Sequence, residues 1–429
     1  MNVCIGDNIN IAAGNLWNAL TSHGAVLTYA VILTISVIVI MALIIIRNAR
    51  DVKSREKEKK LRQTKKRFSR LCQLDEQFPR GKAENHNAIK AGNVGAVSLE
   101  RLCTDFRNYA AAAMGLYYDE RTVRAYVSSL AVTKLIILEG ISGTGKTSLP
   151  YAFGKFVKRE AAVVPVQPSW KDKTDMLGYY NEFTNTFTET ELLYKLYEAN
   201  LCGDVFTVIL DEMNIARVEY YFAEFLSLLE LPDPSARQIE VVASRRESDP
   251  RLLKEGKLLI PENVWFVGTA NNDDSTLAIS DKVYDRAMVL ELSRRASPFA
   301  AEDPGQTRIS FAQLDSLFRN ALDTYSVSAE MRRNVEELDR FLNEKMHITF
   351  GNRIMRQIEK FVPVYLAAGG PENEAVDVIV SRKVLRRLEN QNPVFVEAAA
   401  GELLGRLGEL FGKGTMPLCE EFISRYIRS

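Results

Sequence analysis

The sequence predicts an α/β protein: a parallel sheet with helices on both faces, an α-helical region after it, and one transmembrane helix with a basic helical stalk before it. Three observations carry this. A glycine-rich loop, Gly140-Ile-Ser-Gly-Thr-Gly-Lys146-Thr147, stands between the apolar run "KLIILE" and the helix-like run "TSLPYAFGKFVKR". Two further β-rich runs, residues 205–210 and 264–268, end in polar residues. Residues 25–46, "AVLTYAVILTISVIVIMALIII", are 22 positions without a charge.

The apolar run comes first in the chain. As a helix rising 1.5 Å per residue it covers a hydrocarbon core of about 30 Å. Nothing basic precedes it, which sets it apart from a cleaved signal peptide. From Arg47 to Arg70 there are twelve Lys or Arg against three acids. That flank places the C-terminal side in the cytoplasm, so residues 1–24 lie outside and the localisation is a single-pass inner membrane one. The same basic run favours topology and anionic headgroups over nucleic acid. It lacks Pro and Gly and continues as a helical stalk, where weakly apolar residues between Leu61 and Phe78 could let stalks associate.

The chain's formal charge of zero is the sum of unlike parts: beyond Arg70 it carries 43 basic and 51 acidic residues. An acidic soluble part argues against non-specific coating of nucleic acid, and direct nucleic-acid binding is not evident. With 429 residues, 46% apolar and 26% charged, the chain is long enough for the anchor and two or three ordinary cores. Five cysteines without a CxxC pair and three histidines give neither a zinc site nor a disulfide framework.

The loop fits GxxxxGK[ST] at every fixed position. Its glycines let backbone N–H groups turn inward around a β-phosphate, Lys146 reaches the β and γ oxygens, and the Thr147 hydroxyl ligates magnesium. Strand, loop and helix follow in the required order, with Pro150 early enough in the helix to be tolerated. A partner strand must bring a magnesium-binding acid, and "DVFTVILDEMN" ends in Asp211 and Glu212. The first acid can hold the metal; the second can activate the attacking water. The third run, "VWFVGTANNDDS", delivers Thr269, Asn271 and Asn272, which could hold that water. Ligands bind beyond the carboxyl ends of strands in open α/β sheets, so three strand ends converge on one site.

With those residues in place, the sequence resembles an AAA+ NTPase, and among these the McrB branch, the motor of modification-dependent restriction, with MoxR-type and dynein-related ATPases as cousins. The signs are "GISGTGKT", "ILDEMNIARVEYYFAEFLSLLE", "GTANNDD" and "SDKVYDRAMVLEL", and the resemblance runs over about residues 83–429. It implies an AAA+ core over 133–298, a helical lead-in over 83–132 and an α-helical lid with C-terminal helices over 299–429. The anchor (25–46), the stalk (47–82) and the outer segment (1–24) precede these.

Carried over by position, Gly140, Gly143, Thr144, Gly145, Lys146, Thr147 and Ser148 would bind nucleotide. Thr147 and Asp211 would hold Mg2+, Glu212 would be the catalytic acid of the pair, and Asn271 the first sensor. The family's MNxxD sensor reads Asn271-Asn272-Asp273-Asp274 after Ala270, with Met replaced. Asn214 and Arg217 follow the acids in the family's DE-x-N pattern and would position groups around the site. The arginine finger, which the resemblance says must reach a neighbouring subunit's nucleotide, is Arg286, with Arg294 and Arg295 as alternatives or with Arg286 merely paired to Asp281 or Asp285. Arg353, opening the amphipathic segment "TFGNRIMRQIEKFVPVYLAA", falls where a second sensor would touch the γ-phosphate.

Two insertions stand out. One, residues 166–187, carries Trp170, Tyr179 and Tyr180, which by resemblance to similar ATPases would face the ring axis or a partner, or else are core aromatics of a packed loop. The other, residues 231–263, reads as a hairpin with a polar tip. Pro232-Asp233 with Glu255 and Lys257 imitates a PD…ExK nuclease, but an ATPase core leaves such a fold no room. The resemblance implies ATP or GTP as cofactor, a homo-oligomeric ring, usually a hexamer, and a separately encoded effector, McrC-like in a defence system against phage. A MoxR-like chaperone for a membrane-associated complex and a nucleotide-dependent scaffold with little turnover are the competing readings.

Overall fold

The computed structural model describes residues 14, 17, 23–64, 66–79, 98–271, 276–292 and 295–427, with only the backbone described at 23–27 and 55–64. The outer segment apart from Gly14, Trp17 and the helix start, residues 83–97 of the lead-in, Asn272, Asp273, Asp274 and Arg294 lie outside these. The chain divides into two units, one of residues 1–66 with 246–248, the other of residues 67–245 and 249–429.

The first unit contains one long helix, α1 (His23–Thr64). Between Thr28 and Ser54 it is long and apolar enough to cross a membrane, and none of that stretch is buried against protein. Two of its hydroxyls are satisfied within the helix: Thr34 Oγ1 donates to Ala30 O (3.0 Å) and Ser36 Oγ to Ile32 O (2.8 Å). A segment facing hydrocarbon would require this, because hydrocarbon offers no partner for a polar group.

The second unit begins with α2 (Ser69–Gln77), followed by α3 (Leu99–Met114) and α4 (Glu120–Val132). Next come β1 (Leu135–Gly140), α5 (Ser148–Phe156) and β2 (Ala162–Pro165). The first insertion is a helical turn, α6 (Lys173–Leu177), and an antiparallel hairpin of β3 (Gly178–Asn181) and β4 (Thr186–Glu189). Then follow α7 (Glu191–Ala199), β5 (Phe206–Asp211), α8 (Val218–Tyr221) and α9 (Ala223–Leu229). The second insertion carries the antiparallel pair β6 (Gln238–Glu240) and β7 (Lys257–Leu259). The sheet is completed by β8 (Val264–Asn271) and, after α10 (Asp281–Tyr284), by β9 (Met288–Glu291).

The five main strands are parallel and ordered β2-β5-β8-β1-β9. From β1 the chain crosses to the far edge at β2, works back through β5 and β8, and closes on the other side of β1 with β9. This reversal of direction at β1 opens a crevice at the carboxyl ends, where open α/β sheets take ligands. β1 is buried throughout, as a strand covered on both faces must be. Its side chains alternate between two cores: Ile136 and Leu138 join α3, α4, α5 and the C-terminal helices, while Leu135 and Ile137 join α7 and α9.

After the sheet the chain is helical: α11 (Phe311–Thr324), α12 (Ala329–Met346), α13 (Gly351–Ala367), α14 (Glu372–Ile379), α15 (Pro393–Phe411) and α16 (Pro417–Ile427). The face of α13 formed by Ile354, Ile358, Phe361 and Val362 is buried, as its periodicity predicts. Between α14 and α15 a π-helical turn at Val380–Val384 passes into a 3-10 turn at Leu385–Asn390.

One expectation is corrected here. The apolar residues Phe68, Leu71, Cys72 and Leu74 are not free to associate stalks, because they are buried in the core of their own subunit. Phe68 stacks on Phe187 at 4.7 Å between ring centroids. The Glu189 carboxylate accepts from the backbone N–H groups of Ser69 (3.0 Å), Arg70 (2.9 Å) and Leu71 (2.8 Å), capping α2 from another element. The chain just beyond α1 is thus strapped onto the β3–β4 hairpin.

Candidate active site

Parallel register decides what meets at the carboxyl ends. Gly140 pairs with Asn271 across β1 and β8, and Leu210 with Gly268 across β5 and β8, so Asp211 ends level with Thr269. The loop after β1 then closes over this edge. A cavity of about 340 Å3 there is lined by Ser142, Gly143, Thr144, Gly145, Lys146, Thr147, Ser148, Asp211, Glu212, Thr269 and Asn271. Of the phosphate, magnesium, catalytic-acid and first-sensor residues assigned by sequence, all but Gly140 line it, whereas Asn214, Arg217, Arg286 and Arg353 do not.

Loop geometry follows from its glycines. At Gly140, φ is 145° and a Cβ would collide with the Leu292 carbonyl oxygen; at Gly145, φ is 91° and a Cβ would press on the Tyr118 hydroxyl at 3.3 Å. Lys146 is buried, and its Nζ donates to Gly140 O (2.9 Å) and Ile141 O (2.7 Å). Those bonds hold the ammonium inside the loop, within reach of anything bound there. Thr144 Oγ1 ties the loop by donating to Ile141 O at 3.0 Å.

Asp211 Oδ1 accepts two hydroxyls, Thr147 Oγ1 at 2.7 Å and Thr269 Oγ1 at 2.9 Å. Thr269 Oγ1 in turn accepts the Glu212 backbone N–H at 2.9 Å. Instead of facing the lytic water, Thr269 therefore orients both acids from beneath. Glu212 has φ 52° and ψ 48°, the left-handed region, which turns its side chain away from the strand's alternation. The buried Asn214 staples the next strand end: its amide donates to Asn271 O (2.9 Å) and its Oδ1 accepts from Asn271 N (3.3 Å). Arg217, in contrast, lies over the Tyr220 ring and does not line the cavity.

A hydroxyl on the phosphate loop and a carboxylate at the end of β5, 2.7 Å apart, form the hard-oxygen donor pair that suits Mg2+, which uses one or two protein ligands and takes the rest from water and phosphate.

Sequence reasoning missed the far wall. Gly115, Leu116, Tyr117 and Tyr118, the loop between α3 and α4, line the same cavity, as does Arg295. Tyr118 donates from its hydroxyl to Gly145 O at 3.3 Å, and Tyr117 packs edge-on to Phe299 at 5.6 Å. The available signal was "AAAAMGLYYDE": a glycine that ends a helix, here in the left-handed conformation with φ 65°, then two aromatics before the Asp119 cap of the next helix. Arg295, considered as a finger toward a neighbour, lies instead in its own subunit's cavity.

Arg286 and Arg353 are elsewhere. Arg353 does not line the phosphate-loop cavity, so the expectation that it touches its own subunit's γ-phosphate is corrected. Arg286 is not paired with Asp281 or Asp285. Both arginines bind Glu230, Arg286 Nη2 at 3.1 Å and Arg353 Nη2 at 2.7 Å. They line an open cavity of about 820 Å3 together with Leu135 and Trp265, which lie at the amino ends of β1 and β8. The six residues of β1 separate the two cavities, roughly 17 Å at 3.3 Å per step. α13 starts beside α11 at that end of the sheet, which is why Arg353 points there.

Residues 307–429 match a family model described as a domain of unknown function (DUF8727). The EcoKMcrB subunit of the type IV methyl-directed restriction enzyme of Escherichia coli strain K12 is 25% identical over 181 residues, 39% of this chain and 36% of that subunit. The chain thus matches about a third of the length of this curated relative. Among solved structures, a presumed ATPase of Cytophaga hutchinsonii aligns with TM-score 0.38 and 14% identity over 76% of this chain and 92% of its own. A full-length MCM homologue of Methanopyrus kandleri aligns with TM-score 0.38 and 9% identity over 66% of this chain and 59% of its own.

Proposed function

We propose that this chain is a McrB-like AAA+ ATPase, a membrane-anchored motor which hydrolyses ATP or GTP in a homo-oligomeric ring and drives a separately encoded effector. The observation that carries the reading is the junction of Thr147, Asp211 and Thr269, which brings the loop, the acid strand and the sensor strand onto one carboxylate oxygen.

In this reading Thr147 and Asp211 would hold Mg2+, which would supply positive charge against the phosphates of a bound nucleotide. The backbone N–H groups from Gly143 to Ser148 cradle the phosphates, and Lys146 exchanges its two carbonyl partners for phosphate oxygens. Glu212 takes the proton of the attacking water while Asn271, fixed by Asn214, orients that water. Tyr117, Tyr118 and Arg295 close the wall against the base and ribose. Arg286 and Arg353, facing away from their own loop, serve the nucleotide of the next subunit, which is why the active form is a ring, a hexamer by likeness to related ATPases.

The helix at Thr28–Ser54 supports anchoring in the inner membrane, with the ATPase on the cytoplasmic side of the basic flank. An McrC-like effector and a role in phage defence follow from the likeness to the restriction subunit. ATP is favoured over GTP on the habit of AAA+ proteins at large.

Hydrolysis of ATP and GTP by the detergent-solubilised full chain, against Lys146→Ala and Glu212→Gln, tests the motor. Turnover that both substitutions abolish supports it and names the base. Binding without turnover, at every protein concentration and with the effector present, overturns it in favour of a scaffold.

A further inference from the structure

The cavity at the amino ends of the strands is cationic. Arg286, Arg353, Arg356, Arg237 and Lys360 line it, and Glu230 is the carboxylate that Arg286 and Arg353 share. Glu230 stands at the C-terminal end of α9, the helix that follows the acid strand and Asn214. Its side chain is 32% exposed, that of Arg286 18% and that of Arg353 48%, so the cluster is open on one side. Arg286 is only partly satisfied: its Nε and Nη1 are buried without a hydrogen-bond partner. A guanidinium has five donors in a fixed fork, and one carboxylate oxygen at 3.1 Å uses one of them.

We propose that Glu230 is a positioning residue that stands in for the neighbouring subunit's γ-phosphate. In the free subunit its carboxylate holds Arg286 and Arg353 side by side. When a second copy of this chain seats its phosphate-loop cavity over the cluster, nucleotide phosphate displaces the carboxylate. The exchange favours phosphate because it brings more charge and three acceptor oxygens where the carboxylate has two, and it fills the donors of Arg286 that Glu230 leaves empty. The ring interface is thereby held back until nucleotide is present. This rests on the reading that the two arginines act in trans.

The experiment has two arms, both on the full chain in detergent. In the first, Lys146→Ala protein, which supplies arginines and binds no nucleotide, is mixed with Arg286→Ala/Arg353→Ala protein, which binds nucleotide and supplies no arginines. Turnover restored by mixing supports action in trans; failure to restore it removes that reading and this proposal with it. In the second, the protein concentration giving half-maximal specific turnover is measured for the wild type, Glu230→Gln, Glu230→Ala and Glu230→Asp. The expected result is a threshold about five- to tenfold lower in the Gln and Ala proteins, as released arginines bind the neighbour's phosphate without competition, with Asp returned toward the wild type. A merely structural Glu230 would raise the threshold or leave it alone in both, and with complementation intact that result overturns the proposal while sparing the trans reading.

Discussion

Thr147 Oγ1 and Asp211 Oδ1 lie 2.7 Å apart across the crevice, although 64 positions separate them in the chain. One sits on the loop after β1 and the other at the end of β5, with β8 between their strands. The contact sets the distance between loop and acid, and it places a hydroxyl and a carboxylate where both could serve one magnesium ion. Asp211→Asn should therefore leave the fold intact and raise the Mg2+ concentration needed for half-maximal turnover by more than about tenfold. Thr147→Ser, which keeps the hydroxyl, should stay within about threefold of the wild type on the same titration. Equal losses in the two variants would mean that Thr147 packs and does not ligate.

Glu212 should separate binding from chemistry. Its left-handed backbone is held by the Thr269 hydroxyl, and it lines the cavity beside the phosphate loop. Glu212→Gln should lower kcat by about 10²–10⁴, the usual worth of a general base, while nucleotide affinity stays within a few-fold of the wild type. Equilibrium binding of a fluorescent nucleotide, run beside phosphate release, checks both halves.

The phosphate side of this site was legible because its chemistry is local. A loop of fixed spacing, a strand ending in two acids and a strand ending in asparagine each announce themselves within a dozen residues, and the parallel register then brings Gly140, Asp211, Thr269 and Asn271 to one edge. The cradle's far wall was not legible, because Tyr117 and Tyr118 belong to a loop between helices whose place depends on how α3 and α4 pack. Arg353 was misplaced for a related reason. Its helix was foreseen from a clean amphipathic stripe, but periodicity gives the buried face of a helix and not the end of the sheet at which it begins. Phe68, Leu71 and Leu74 show the same limit, since a short apolar stripe after a basic run can face another chain or its own core.

That strap leads to a stability prediction. Arg67 binds Asp249 in bidentate fashion, Nε to Oδ1 at 2.7 Å and Nη2 to Oδ2 at 2.6 Å, with both side chains almost wholly buried. Removing one member strands the other charge, at a cost of about 3–5 kcal/mol. Asp249→Ala should lower the opening free energy of α2 by that order in amide hydrogen exchange, with β1 and β8 protected as before. The double substitution Arg67→Met/Asp249→Ala should cost less than Asp249→Ala alone. Additive losses would show that the pair is not what holds the strap.

The π-helical turn after α14 buries Lys383, whose Nζ donates to Tyr284 O (2.5 Å) and Ala287 O (2.6 Å), beside Arg286 in sequence. Burial pushes its pKa down from 10.5 to about 7; Asp285 pulls the other way, while Arg387, Arg353 and Arg386 add to the push. The folded-state pKa is thus below the unfolded one, so between pH 7 and about 10 the unfolded chain binds the extra proton and stability rises with pH. Below pH 7 both states are protonated and the contribution no longer changes. The unfolding free energy of the wild type minus that of Lys383→Met should therefore climb across this window with a slope approaching about 1.4 kcal/mol per pH unit, read from urea titrations at matched ionic strength. A difference that falls as pH rises would mean that the two carbonyls stabilise the ammonium by more than burial penalises it. The turn would then be a charged clasp between the C-terminal helices and the segment that carries Arg286.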